Sequence, residues 1–409
     1  MLRLLSLALL LASLCACAAT APRPTPKVPD AARLDAEVER LLREAQVPGL
    51  ALAVIADGRI VHLKAYGQRD REQSLPLQTD TVMYGASLTK ALFAYLVLQL
   101  VDEGKLDLDR SIADYLPKPL PDYEKYAELA GDERWRKLTP RMLLSHTGGF
   151  PNFRFFTADN RYDKDGKLTF WFEPGTRYAY SGEGINLLQF VIENGLGLDL
   201  AQLLQQRVYD RYGMHRSSMT WRDDFAGNLA IGYDAAGKPL GHRQRRGVRA
   251  AGSMDTTIAD YAAFLAALMR GEGLSPAARR ELLAAQVRIH SKRQFPTAAP
   301  ETTTDNDGIQ LSYALGWGRY ESPQGTVNFK EGSDDGWNNY AAFIDARKFG
   351  FVVMSNSDNA RGIFKYLNDL ILGETCMPWY WETYIPYDHP ELKQPEALAQ
   401  SHPPCGPVR

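Results

Sequence analysis

Polar and apolar positions alternate near both ends of the chain and recur every three to four residues between them, so strands are expected outside and helices inside. Leu34 to Ala45 carries a helical stripe that Val47-Pro48-Gly49 breaks. Leu50 to Ala56 and Arg59 to Gly67 flank Asp57-Gly58, a turn pair that predicts a hairpin. Lys90 to Glu103, Thr139 to Ser145, Gly184 to Asn194, Leu200 to Tyr212 and Thr257 to Met269 follow the helical period. Thr139 before Pro140 marks a helix start, and Thr257 with Asp260 has capping-box spacing, with Asp in place of Glu or Gln. Alternation returns in Leu311 to Tyr320, Thr326 to Lys330, Trp337 to Asp345 and Phe349 to Ser355, and a last helix spans Ile363 to Leu372. The expected fold is mixed α/β (α+β): an antiparallel sheet built from both chain ends, flanking helices, and a mostly helical domain inserted between. One domain would span 33–375, with its sheet part at 33–85 and 305–375 and its helical part at 86–304.

The termini carry other signals. Met1 to Leu14 joins one early charge, Arg3, to an apolar stretch too short to span a bilayer, the pattern of a secretory signal. It ends in Leu14-Cys15-Ala16-Cys17, which resembles a bacterial lipobox; small Ala16 suits acylation of Cys17, whereas bulky Leu14 suits Cys15 poorly. Residues 1–16 are thus expected to be a lipoprotein signal peptide, Cys17 the lipidated residue, and 17–32, rich in Pro and Ala, a flexible tether. The implied location is the bacterial periplasm, lipid-anchored at the outer membrane, with the anchor as the sole membrane contact. Cys376 and Cys405 are the cysteines left in the mature chain, and in an oxidising compartment a disulfide between them would fasten the Pro-rich tail 376–409 to the body; spacing alone leaves that pairing open.

Composition narrows the partners. A formal net charge of −2 carries no nucleic-acid signature. The basic run His242 to Arg249 has the look of a solvated loop. The seven histidines are scattered, and no phosphate loop or zinc spacing is present, so no cofactor or metal is expected.

Ser87 and Lys90, in Tyr84-Gly-Ala-Ser-Leu-Thr-Lys90, lie three residues apart at the head of an apolar helical run. On a helix such residues share a face, so hydroxyl and amine can touch. A lysine kept neutral by burial can take the serine proton. The plainer alternative is Ser87 as a helix cap and Lys90 as a solvated first-turn charge. Two further segments bear on the choice: Pro174-Gly-Thr-Arg-Tyr-Ala-Tyr180-Ser-Gly182, and Phe329-Lys330-Glu331-Gly332-Ser333-Asp-Asp-Gly-Trp337.

In this order, beside Leu143-Leu-Ser-His146-Thr-Gly-Gly149, the segments resemble the serine β-lactamase and DD-peptidase superfamily, in its class C-like branch with related esterases and D-aminopeptidases. The resemblance covers about Leu34 to Gly373. It implies Ser87 as nucleophile, Lys90 as its proton partner, Tyr180 as general acid/base, Lys330 as the residue that polarises Tyr180, and the Ser87 and Ser333 backbone N–H groups as an oxyanion hole. Two ammonium groups beside a tyrosine would favour its phenolate. Gly332, Glu331 and Trp337 would border the substrate, although Trp337 serves equally as core. His146 is taken as structural, since no Gly-x-Ser-x-Gly elbow exists for it to serve.

The chain departs from the family pattern at two places. An asparagine is replaced by Gly182, with Asn186 one turn further on, and a Ser or Thr that binds a substrate carboxylate is replaced by Glu331, beside Asp334 and Asp335. Acidic groups there disfavour anionic β-lactams. The expectation is a serine hydrolase acting through a Ser87 acyl-enzyme on a small ester or amide, as an esterase or D-aminopeptidase would. β-Lactamase, DD-carboxypeptidase or a non-turnover acylated sensor are the alternatives. The partner would be a small-molecule or peptide-like substrate, and oligomeric state is open.

Overall fold

The computed structural model describes residues 28–393 except 160 and 298. Cys405, Cys17, the signal peptide and most of the tether lie outside the described residues. The helix Ala31–Glu44, capped by Asp30, begins inside the stretch expected to be tether.

Asp57 and Gly58 take φ of 50° and 69°, the left-handed pair a tight hairpin needs, and join strands Gly49–Ala56 and Arg59–Asp70. The nine-stranded antiparallel sheet runs Leu75–Pro76, Arg59–Asp70, Gly49–Ala56, Phe349–Ser355, Trp337–Ile344, Gly325–Asp334, Gly318–Ser322, Ser312–Tyr313, Val287–Arg288. The two chain ends meet where Leu50 pairs with Ser355. The strand expected over Leu311 to Tyr320 is split by a tight turn in which Ala314 N–H donates to Trp317 O. Val287–Arg288, inside the range expected to be helical, is an edge strand instead.

Alternation along Gly49–Ala56 serves two cores at once. Ala51, Ala53 and Ile55 face one core and Leu50, Leu52 and Val54 the other, so every one of these side chains is buried. The first core encloses the helix Thr89–Asp102, buried continuously from Thr89 to Leu100, with the helix Ile258–Arg270 beside it. The second holds Ala31–Glu44, Phe364–Leu372 and a segment read from sequence as tail: Met377, Trp379, Trp381 and Tyr384 are all buried. The helix expected over Leu200 to Tyr212 is interrupted by a π-helical stretch, Gln205–Tyr209. Thr257 caps the Asp260 N–H at 3.1 Å, but the Asp260 carboxylate accepts from Arg216 N and Ser217 Oγ, each at 2.8 Å, instead of closing a capping box.

One side chain joins sheet and helical parts at the decisive point. Asn339 Nδ2 donates to Tyr84 O at 3.1 Å and to Gly332 O at 3.0 Å, tying the turn before Ser87 to the strand Gly325–Asp334. A Cβ on Gly332 would lie 2.6 Å from Gly85 O, so only glycine permits this approach. Asn339→Ala should lower unfolding free energy by about 2 kcal/mol, since it strips two buried carbonyls of a donor. Chemical denaturation measures it, and unchanged stability would show that the tie contributes nothing.

Candidate active site

Ser87 lies in the single 3₁₀ turn Ala86–Leu88, just before the helix that starts at Thr89, and is not part of that helix. Ala86 has φ of 45°, a left-handed conformation costing a non-glycine residue about 1–2 kcal/mol. The turn is held by Thr89 Oγ1 donating to Ala86 O at 2.6 Å and by Met254 N–H donating to Thr89 Oγ1 at 3.2 Å. Lys90 Nζ donates to Ser87 Oγ at 2.9 Å and to Ala251 O at 2.6 Å, and Lys90 is 2% exposed, which rules out a solvated charge. Burial, reinforced by Lys330, pulls the Lys90 ammonium well below the usual lysine range, while Glu331 opposes the shift.

Tyr180 comes in on the loop before the helix Gly182–Gly195, whose N-cap Ser181 accepts from Gly184 N–H and donates to Pro151 O. Its ring lies 4.8 Å from Lys90 Nζ. Lys330 Nζ, fully buried, donates to Tyr180 Oη at 3.1 Å, Glu331 O at 3.0 Å and Glu331 Oε1 at 2.6 Å. Burial, then the Glu331 charge, pushes the Tyr180 hydroxyl well above the ordinary tyrosine value. Burial, with the Glu331 charge adding to it, therefore opposes the phenolate that two ammonium groups were expected to stabilise.

The geometry thus brings two hydrogen-bonded pairs together, Lys90 with Ser87 and Lys330 with Tyr180, the Tyr180 ring lying 4.8 Å from Lys90 Nζ and Gly332 passing beside the Ser87 turn. Residues 34–374 match the sequence profile of the Beta-lactamase family. The chain belongs to this family. It is 26% identical over 363 residues to the unguisins hydrolase of Aspergillus violaceofuscus, covering 80% of this chain and 62% of that one. It is 30% identical over 204 residues to esterase EstB of Burkholderia gladioli, covering 45% and 50%. The chain therefore spans between half and two thirds of those relatives' lengths. The octameric penicillin-binding protein homologue of Pyrococcus abyssi superposes with a TM-score of 0.67 at 22% identity, covering 85% of this chain and 78% of that one, and so shares the fold.

Several residues of this Beta-lactamase family member take places that sequence reading missed. Where the family pattern has asparagine, Gly182 donates its N–H to Asn152 Oδ1 at 2.9 Å, and a Cβ there would lie 2.8 Å from Asn152 O. Asn186 Oδ1 accepts from Ala251 N–H at 3.1 Å, placing the carbonyl that holds Lys90. Trp337 is core, packed edge-on against His242 at 5.1 Å. The basic run is not a solvated loop throughout. His242 Nε2 meets Asp255 Oδ1 at 3.0 Å, and Arg245 lies over the Tyr84 ring at 3.2 Å with Asp334 4.0 Å away. His146 is fully buried, accepts the Ser181 N–H at Nδ1 and packs 4.3 Å from the Tyr180 ring, so it shapes the tyrosine loop. Cys376 is disulfide-bonded, its partner lying outside the described residues. The aromatic density of Trp379-Tyr-Trp-Glu-Thr-Tyr384 was the overlooked signal that this segment is core and reaches the site, where Tyr384 Oη meets Ser333 Oγ at 3.4 Å.

Ser87→Ala should abolish labelling by a serine-directed fluorophosphonate. Lys90→Arg, which keeps the charge but cannot become neutral, should slow labelling by about 100-fold or more. Labelling of the arginine variant at the wild-type rate would remove Lys90 as proton acceptor.

Proposed function

We propose that the protein is a serine hydrolase of acyl transfer to water, acting on neutral esters or amides. The observation that carries the reading is the buried Lys90 amine 2.9 Å from Ser87 Oγ. Ser87 Oγ attacks the carbonyl carbon as its proton passes to Lys90 Nζ. The developing oxyanion lies beside the Ser87 and Ser333 backbone N–H groups. The bond to the leaving group breaks, and that group departs with a proton relayed through Tyr180. Water then attacks the acyl-enzyme, releasing the acid and restoring Ser87.

Substrate preference follows from the Lys330–Glu331 pair. With both side chains buried and 2.6 Å apart, the lysine charge is already matched and has little to offer a substrate carboxylate. Apolar groups are better served: Phe295, 39% exposed, packs edge-on 5.6 Å from the Tyr180 ring. Phe153, Phe155, Phe156 and Tyr162 cluster on the loop that Asn152 ties to Gly182. An esterase with an aryl or alkyl substrate fits this site better than a β-lactamase.

With a panel of nitrophenyl esters, D-amino-acid amides and a chromogenic cephalosporin, kcat/KM should favour an ester over the cephalosporin by about 100-fold, the scale of one unfavourable charge contact plus one missing hydrogen bond. Glu331→Thr should narrow that gap by freeing the Lys330 charge. A cephalosporin turned over as fast as the best ester would return β-lactam hydrolysis to first place. Turnover stopping at one equivalent would indicate an acylated sensor.

The leader and Ala16-Cys17 support a lipid-anchored periplasmic location. Expressed in full, the protein should fractionate with membranes and carry lipid mass on Cys17, and Cys17→Ala should release it or block processing. An unmodified N-terminus in the soluble fraction would exclude the anchor.

A further inference from the structure

Behind Lys330, on the face away from Ser87, the strand Gly325–Asp334 meets the C-terminal segment. Val327, Phe329 and Glu331 share that strand face, and Trp381 packs 6.5 Å from Phe329 while Tyr384 reaches Ser333. Glu382, between these two aromatics in sequence, therefore lies on the strand face that carries Glu331, between Phe329 and Ser333. It is 2% exposed. Two oxygens in this place have no hydrogen-bond partner among the described residues, Glu331 Oε2 and Glu382 Oε1. A buried acceptor without a donor costs about 1–3 kcal/mol, and Lys330 and Arg361 only partly offset the repulsion between two buried carboxylates. One proton on Glu382 removes both problems, since a carboxylic acid donates and a carboxylate accepts.

We propose that Glu382 is a positioning residue whose carboxylic acid O–H donates to Glu331 Oε2, holding Glu331 Oε1 on Lys330 Nζ and so keeping Lys330 aimed at Tyr180. The role rests on the hydrolase reading above, whereas the proton on Glu382 does not. The charges that act on Glu382 are those of Glu331, Lys330 and Arg361, and its own charge acts on the hydroxyls of Tyr178, Tyr313, Tyr340 and Tyr384. Burial first, then the Glu331 charge, raises the Glu382 carboxyl well above its ordinary value of 4.5, with Lys330 and Arg361 opposing. Because the folded state then binds a proton the unfolded state has released, stability falls as pH rises from 4.5 towards the raised value.

The full-length protein with Glu382→Gln tests this. At neutral pH the wild type should show the infrared carbonyl band of a protonated buried carboxyl, and the glutamine variant should lack it. The wild-type Tm should fall relative to that of the variant as pH rises from 5 to 8. Parallel Tm curves and an unchanged infrared spectrum would overturn the shared proton. Glu382→Leu, which removes the donor, should lower kcat by about tenfold with KM within about twofold. If that variant fails to fold, the glutamine comparison still decides the matter. A kcat equal to wild type in the leucine variant would overturn the positioning role. Fluorophosphonate labelling of Ser87 in the wild type is read separately, so a failed hydrolase reading and a failed Glu382 role give different results.

Discussion

Lys90 can accept a proton only while it is neutral, and burial pulls its ammonium towards that form. Its stem belongs to a helix buried on all sides, its nitrogen ends between Ser87 Oγ and Ala251 O, and Lys330 adds a second positive charge nearby. Each support exists for that nitrogen. Asn186 fixes Ala251, Thr89 fixes the strained Ala86 turn, and Asn339 fastens that turn to the strand that carries Lys330. Admitting water to this centre would weaken the burial that lowers the Lys90 ammonium.

The charges around Tyr180 follow from the same dryness. An unmatched Lys330 in so apolar a place would be costly, and Glu331 matches it. The result is a pocket whose one matched ion pair, Lys330 with Glu331, leaves little net charge around Tyr180. The aromatic side chains near its tyrosine suit that character.

Much of this was legible along the chain. Period-two alternation placed the hairpin and the late strands, because both follow directly from which side chains must be hidden. Motif order singled out Ser87, Lys90, Tyr180 and Lys330, which the fold brings together. The upward shift of the Tyr180 hydroxyl was not legible there, because it depends on burial and on a neighbour, Glu331, whose carboxylate could as well have faced solvent. Val287–Arg288 is too short for periodicity to register. The segment from Cys376 looked like a tail because prolines interrupt its pattern, although its tryptophans required burial. Asn186 and Asn339 act through backbone carbonyls distant in sequence, and nothing local to them signals those partners.

The pairing of Gly49–Ala56 with Phe349–Ser355 has a consequence in time. Ser355 Oγ donates to Gly49 O across 306 positions, so the first hairpin has no neighbour on its inner edge until nearly the whole chain exists. At ribosomal rates of about 5–20 residues per second, that interval is roughly 15–60 s. During it the inner edge strand remains open and the sheet cannot close. A chain that cannot finish its central sheet before synthesis is nearly complete carries unpaired backbone donors and acceptors along that edge throughout its elongation.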